Sequence, residues 1–184
     1  MIRLALWILS ALILGGLVHL STVLLLPSLA TQDAYARVAA VAPVNSVIPI
    51  PAPTPEKAIM PFMDPAFTVS VCRYDLSRGP LKFSVPISQA YTSVSFYTRS
   101  DVAYYAINDR AAGRRVIELD LMTEQQHSDM PEEEDVTAAD RLIVDSPTVT
   151  GIIVMKALAP EPGLMDMART ALTSGRCQLQ QARS

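Results

Sequence analysis

The sequence predicts a mainly β protein, with one N-terminal transmembrane helix followed by an antiparallel β-sandwich or jelly-roll-like domain and a C-terminal helix. Three observations predict it. Residues 4–26, LALWILSALILGGLVHLSTVLLL, form an apolar run without a formal charge. From Phe67 to Met122, short stretches of alternating apolar and polar residues recur at roughly ten-residue spacing, the pattern of a sandwich or barrel. Thr148–Leu158 is then continuously apolar and is followed by an amphipathic segment, as expected of a central strand and a helix that covers it.

The apolar run in helical form reaches ~35 Å, a little more than the ~30 Å hydrocarbon core of a bilayer. A cleaved secretory signal is the rival reading, because Ser28 and Ala30 suit cleavage after Ala30. The run exceeds the ~7 to 15 apolar residues of such signals, so a retained anchor over residues 1–28 is expected. Arg3 precedes the run, and Arg37 is the first basic residue after it. That bias predicts the amino end inside and the remainder outside the cytoplasm, in the periplasm of a bacterium with its inner membrane crossed once. Within the run Ala11, Gly15 and His19 recur every four residues and share one helical stripe, where small side chains permit close approach of another helix.

Residues 29–65 read as a Pro-rich linker or strap. Seven of the fourteen prolines fall between Pro43 and Pro65, a spacing that predicts neither helix nor paired strand. Val47, Ile48, Ile50, Ile59, Met60, Phe62 and Met63 make the segment too apolar for a pure spacer, which favours a strap that packs.

Residues 66–184 read as the β-rich extracytoplasmic domain. Phe67, Val69 and Val71 alternate with Thr68, Ser70 and Cys72 before the turn DLSRGP; strands over Leu81–Ile87, Ala90–Thr98 and Asp101–Ile107 follow. The turn NDRAAG leads to a strand over Arg115–Met122. EQQHSDMPEEEDVTAAD reads as a solvated acidic loop with one helical turn from Pro131, and Arg141–Val144 as another short strand. In the last segment Leu164, Ala168, Ala171 and Leu172 share one helical face and Asp166, Arg169, Thr170 and Thr173 the other. This helix is expected to cover the second face of the Thr148–Leu158 strand.

Cys72 lies in the first strand of the domain and Cys177 just past the final helix. Outside the cytoplasm a disulfide between them is favoured; the alternative is a pair of buried, inert thiols. Because Cys72 shares its face with Thr68 and Ser70, it need not sit in an ordinary core.

The stretches DPAFTVSVCRYDLSRGPLKFSVP, AYTSVSFYTRSDVAYYAINDR, SPTVTGIIVMKALAPEP and LTSGRC resemble a bacterial envelope family, the domain of unknown function twelve-fifty-four. The run Gly15 to Leu20 is similar to the GG-L-x-H-L run that precedes the domain in its short members. Thr92, and the pair Ala103 and Tyr104, depart from the aromatic residue and the polar-aromatic pair expected there. The resemblance implies a β-rich, jelly-roll-like domain in the cell envelope and brings no catalytic residues.

With 15 basic against 18 acidic residues and no concentrated basic surface, nucleic acid is not an expected ligand. The expected partners are the lipid bilayer, through residues 4–26, and a membrane or envelope protein. Tyr91, Tyr97, Tyr104, Tyr105, Asn108, Asp109 and Arg110 lie close in sequence and form the candidate ligand-binding set, a polar pocket with an aromatic wall. Tyr is equally at home in half-buried strands, and Asn, Asp and Arg in turns. No cofactor or metal is expected: the acidic cluster Asp129, Glu132, Glu133, Glu134 and Asp135 lacks the alternation of a calcium loop, and His127 with two distant cysteines is a poor zinc set. Two functions remain, a non-catalytic binding or envelope-structural domain, and a membrane-tethered hydrolase with Asp109 as acid or base and Arg110 stabilising negative charge.

Overall fold

A computed structural model of the chain describes residues 2–29, 33–54, 56–113, 115–130 and 142–180. It divides into two compact units, Met1–Asp33 and Ala34–Ser184. The first contains helix α1 (Ile2–Leu29), whose apolar part, Ile2–Leu26, is long and apolar enough to cross a membrane. The anticipated cleavage point after Ala30 lies outside the described residues.

The second unit begins with a short helix, α2 (Ala34–Ala39), and a strand, β1 (Val47–Ile50). Strands β2 (Phe67–Asp75), β3 (Leu81–Pro86), β4 (Thr92–Thr98) and β5 (Ala103–Asn108) follow. A helical turn, α3 (Asp109–Ala112), leads to β6 (Val116–Thr123), and α4 (Glu124–Ser128) follows it directly. Strands β7 (Leu142–Ser146) and β8 (Thr150–Leu158), helix α5 (Met165–Thr173) and strand β9 (Arg176–Leu179) complete the unit. The strands make two sheets, ordered β1-β2-β8-β4-β5 and β7-β6-β3-β9. Every pairing is antiparallel except that of β6 with β7.

The inner faces of the two sheets enclose the main core. Phe83 of β3 meets Phe96 of β4 edge-on at 6.0 Å, and Leu81, Leu119, Leu121, Ile153 and Met155 fill the space around them. Interdigitated layers of this kind are the usual solution for sheets with one apolar face each. Cys72 of β2 and Cys177 of β9 form a disulfide that joins the sheets across this core. Both cysteines are buried. Contrary to the expectation for Cys72, the face of β2 carrying Thr68, Ser70, Cys72 and Tyr74 is the inner one, and Val69 and Val71 look outward. Polarity misassigns this strand because both of its faces are covered.

Three further expectations are corrected. The Pro-rich segment does contain a paired strand: β1 runs antiparallel to β2 with Pro49 opposite Ser70. An edge strand has one side without a ladder partner, so the missing amide of Pro49 is tolerated there. Helix α5 does not cover the outer face of β8; Ala168 and Leu172 join the inner core. The outer face is covered by α2 and the strap instead, with Val38, Ile48, Ile59, Met60 and Met63 packing onto Val71 and Ile152. Finally, the segment after β6 starts as a helix and not as a loop, because Thr123 and Gln126 form a capping box in which each side chain accepts the other residue's backbone N–H. The turn expected from Pro131, residues 132–135 of the acidic cluster, and the start of a strand at Arg141 lie outside the described residues.

Gly151 of β8 sits where a Cβ would collide with the Tyr97 carbonyl and the Tyr74 ring, so the inner core closes over a missing side chain at that point. The disulfide closes a loop with a sequence separation of 105. Replacing Cys72 and Cys177 together by Ser should lower the unfolding free energy by about 2–5 kcal/mol, measured by urea titration against the oxidised wild type.

Candidate functional site

The outer face of the five-stranded sheet is built from alternate residues of its strands. The register places Ile50, Val69, Lys156 and Ser93 in one cross-strand row, and Arg73, Ile152 and Tyr97 in another. Helix α2 lies over one end of this face. It is held by the Ala34 amide, which donates to Asp101 Oδ2 at 3.1 Å, and by Tyr35, whose ring lies 4.1 Å below the Arg99 guanidinium. Arg73 approaches the same ring at 5.9 Å. Arg37 of α2 donates to the Ile59 carbonyl and so ties the helix to the strap.

Between α2, the strap and the exposed end of the sheet a groove of about 540 Å³ stays open. Its floor is Ile50, Val69, Val71, Ile152 and Val154, and Met60 and Met63 form one wall. Tyr91, Ser93, Tyr97 and Lys156 supply polar groups to the lining, Lys156 on the same strand as Ile152 and Val154. The two carboxylates at its margin are engaged by backbone amides, Asp101 by Ala34 and Asp64 by Ala66 at 2.9 Å. Among the described residues no carboxylate pairs with Lys156. Phe62 stands at the lip, wholly exposed and with a left-handed backbone (φ 57°). A bulky residue holds that conformation only at a cost in strain.

The seven candidate residues are dispersed over the domain. Tyr91 and Tyr97 line the groove. Tyr104 belongs to a buried hydroxyl chain: its O–H donates to Tyr74 Oη at 3.1 Å, and Tyr74 in turn meets Ser146 Oγ at 2.9 Å and the Tyr97 carbonyl at 3.3 Å. Tyr105 packs its ring against Phe96 at 5.7 Å. Asn108 is the N-cap of α3, its side chain accepting the Ala111 amide at 3.0 Å, and Gly113 ends that turn with φ 60°. Arg110 is exposed on the same turn, while one carboxylate oxygen of Asp109 is buried with no hydrogen-bond partner among the described residues. Asp109 and Arg110 line neither the groove nor a second cavity of about 410 Å³ beside Tyr105.

The sequence reading missed Lys156, Met60, Met63, Val69 and Val154 as site residues. One signal for them was present: Lys156 is the single charge within the apolar run GIIVMKAL. Thr92, where an aromatic residue was expected, faces inward and is fully buried, with its Oγ1 accepting the Ser88 amide at 2.9 Å.

A family model described as "Protein of unknown function (DUF1254)" matches residues 44–177, from just before β1 to the second cysteine. The chain belongs to the DUF1254 family. The match includes the groove floor and the strap, and α2 lies before it. No curated protein is significantly similar to the chain. Among solved structures, the VPA0106 protein from Vibrio parahaemolyticus is similar with a TM-score of 0.57 at 12% identity, over 83% of this chain and 39% of that one. An uncharacterised protein from Burkholderia cenocepacia is similar at 14% identity with a TM-score of 0.44, over 63% of this chain and 32% of the other. The first likeness shows a shared fold. The chain spans well under half the length of either protein.

Burial holds the Tyr104 phenol well above its ordinary pKa of 10.0, with the Tyr74 hydroxyl adding to the rise against an opposing effect of the nearby Ser146 hydroxyl. The unfolded state therefore ionises first as pH rises, and the stability contributed by neutral Tyr104 is fully present below pH about 10 and lost above it. Between pH 9 and 11.5 the wild type should lose up to ~1.4 kcal/mol per unit more than Tyr104→Phe, read from urea titrations across the range.

Proposed function

We propose that the chain is a single-pass protein of a bacterial inner membrane whose β-domain faces the periplasm and acts there as a non-catalytic binding domain. Three features support the location: an apolar helix of membrane-crossing length, the sole preceding basic residue Arg3, and the Cys72–Cys177 bond, which is at home in an oxidising compartment. The observation that carries the binding function is the open apolar groove on the outer sheet face, with Tyr91, Tyr97 and Lys156 in its lining. Its volume falls within the ~300–1,000 Å³ of small-molecule sites, and its lining has their composition, mostly apolar with a few placed polar groups. The bilayer is the partner of residues 4–26, and a membrane or envelope protein is a second partner of the exposed domain.

A tethered hydrolase with Asp109 as acid or base and Arg110 as charge stabiliser draws on one observation, the buried and unbonded oxygen of Asp109. The binding reading has the stronger basis, since it rests on a formed concavity.

Alkaline phosphatase fused after Ser184 should be active in cells; an inactive but well expressed fusion would refute the orientation. In a melting screen of the full chain, a ligand of the groove should raise the melting temperature of the wild type. It should fail to do so for Val154→Arg, in which a long side chain fills the floor; an equal rise in both proteins would move the binding site elsewhere.

A further inference from the structure

We infer that the groove takes a single-chain anionic lipid from the bilayer, its acyl chain lying on Ile50, Val69, Val71 and Val154 and its headgroup meeting Lys156. The inference rests on the membrane-anchored reading above and names the ligand class of the same groove.

The headgroup is selected locally, at Lys156. Asp64 and Asp101 keep their charge at the margin, where backbone amides hold them, and the Lys156 ammonium has no counter-charge among the described residues. Lys156 sits between Val69 and Ser93 in the cross-strand row, so an anion bound to it places any attached chain on apolar side chains. The hydroxyls of Ser93, Tyr91 and Tyr97, which have no hydrogen-bond partner among the described residues, add donors around that point. A sugar ring laid on the floor would cover valine and isoleucine for little gain. An alkyl chain matches that floor, and Met60 and Met63 offer an adaptable wall to a flexible ligand.

Phe62 gives the lip an apolar contact: an aromatic ring held fully outward by a strained backbone suits a lipid interface better than water.

The test uses the full chain in phosphatidylcholine vesicles doped with lysophosphatidic acid that carries a diazirine in its acyl chain. After vesicle flotation and irradiation, adducts are mapped by mass spectrometry. Adducts are expected on residues 59–69 and 150–156, reduced about fivefold by Lys156→Ala, the scale of one partly exposed ion pair. Lys82→Ala, which alters an exposed lysine paired with Glu118 on the other sheet, should leave them unchanged. A similar reduction is expected when the label is carried by lysophosphatidylcholine of the same chain length. Floating protein with adducts confined to residues 2–29 would overturn the lipid site and leave the anchor standing. Chain-to-chain adducts at the strap without lipid adducts would overturn it in favour of a protein occupant, and groove adducts indifferent to Lys156 and to headgroup would overturn the anionic assignment. Protein that does not float would remove the membrane reading itself.

Discussion

Strand β8 is apolar on both faces, and most of the domain follows from the need to cover them. Its inner side, with Gly151, Ile153, Met155 and Ala157, is closed by the second sheet and α5. Its outer side, with Ile152 and Val154, has no third sheet to pack against. At ~25 cal/mol per Å² of apolar surface, leaving that side in water would forfeit several kcal/mol. The chain before β2 supplies the cover: α2 brings Val38, β1 brings Ile48 and the strap brings two methionines. Six residues of helix and a few of strap cannot span a five-stranded sheet, and the uncovered part is the groove. The candidate site is thus the remainder of an incomplete packing layer, with Lys156 in its lining.

The strands of the domain were legible because period-2 alternation is a local property. Leu81–Ile87, Ala90–Thr98 and Arg115–Met122 were each found within about two residues of their observed limits, the ordinary uncertainty of strand ends. What escaped depends on partners distant in sequence. Strand β1 is four residues long, contains a proline, and exists only because β2 offers it a ladder. Strand β9 is equally short and is held by β3 and the bond to Cys72. The outward direction of Val69 and Val71 could not be read from polarity, since it is decided by which of two apolar layers each face of β2 meets. The capping box Thr123-x-x-Gln126 was different, for its signal was wholly local and was masked by the acidic run behind it.

The candidate site was legible in part. Tyr91 and Tyr97 belong to the groove, and nearness in sequence had grouped them with residues that serve other ends. The β4–β5 hairpin has an irregularity between Phe96 and Tyr97, so Tyr97 lines the groove while Tyr104 and Tyr105 both pack against the inner Phe96 and Tyr104 reaches Tyr74. Asn108 is occupied in starting a helical turn. A sequence cluster that crosses a sheet edge is divided between two environments, and only register, which no single segment carries, says how.

The bond between Cys72 and Cys177 has a consequence for biogenesis. Its first sulfur is made with the earliest long strand, its second only after every other strand among the described residues has been synthesised. A nascent polypeptide therefore presents one unmatched thiol, open to thiol–disulfide exchange, until Cys177 follows. Covalent closure thus waits on β9, the short strand that carries Cys177.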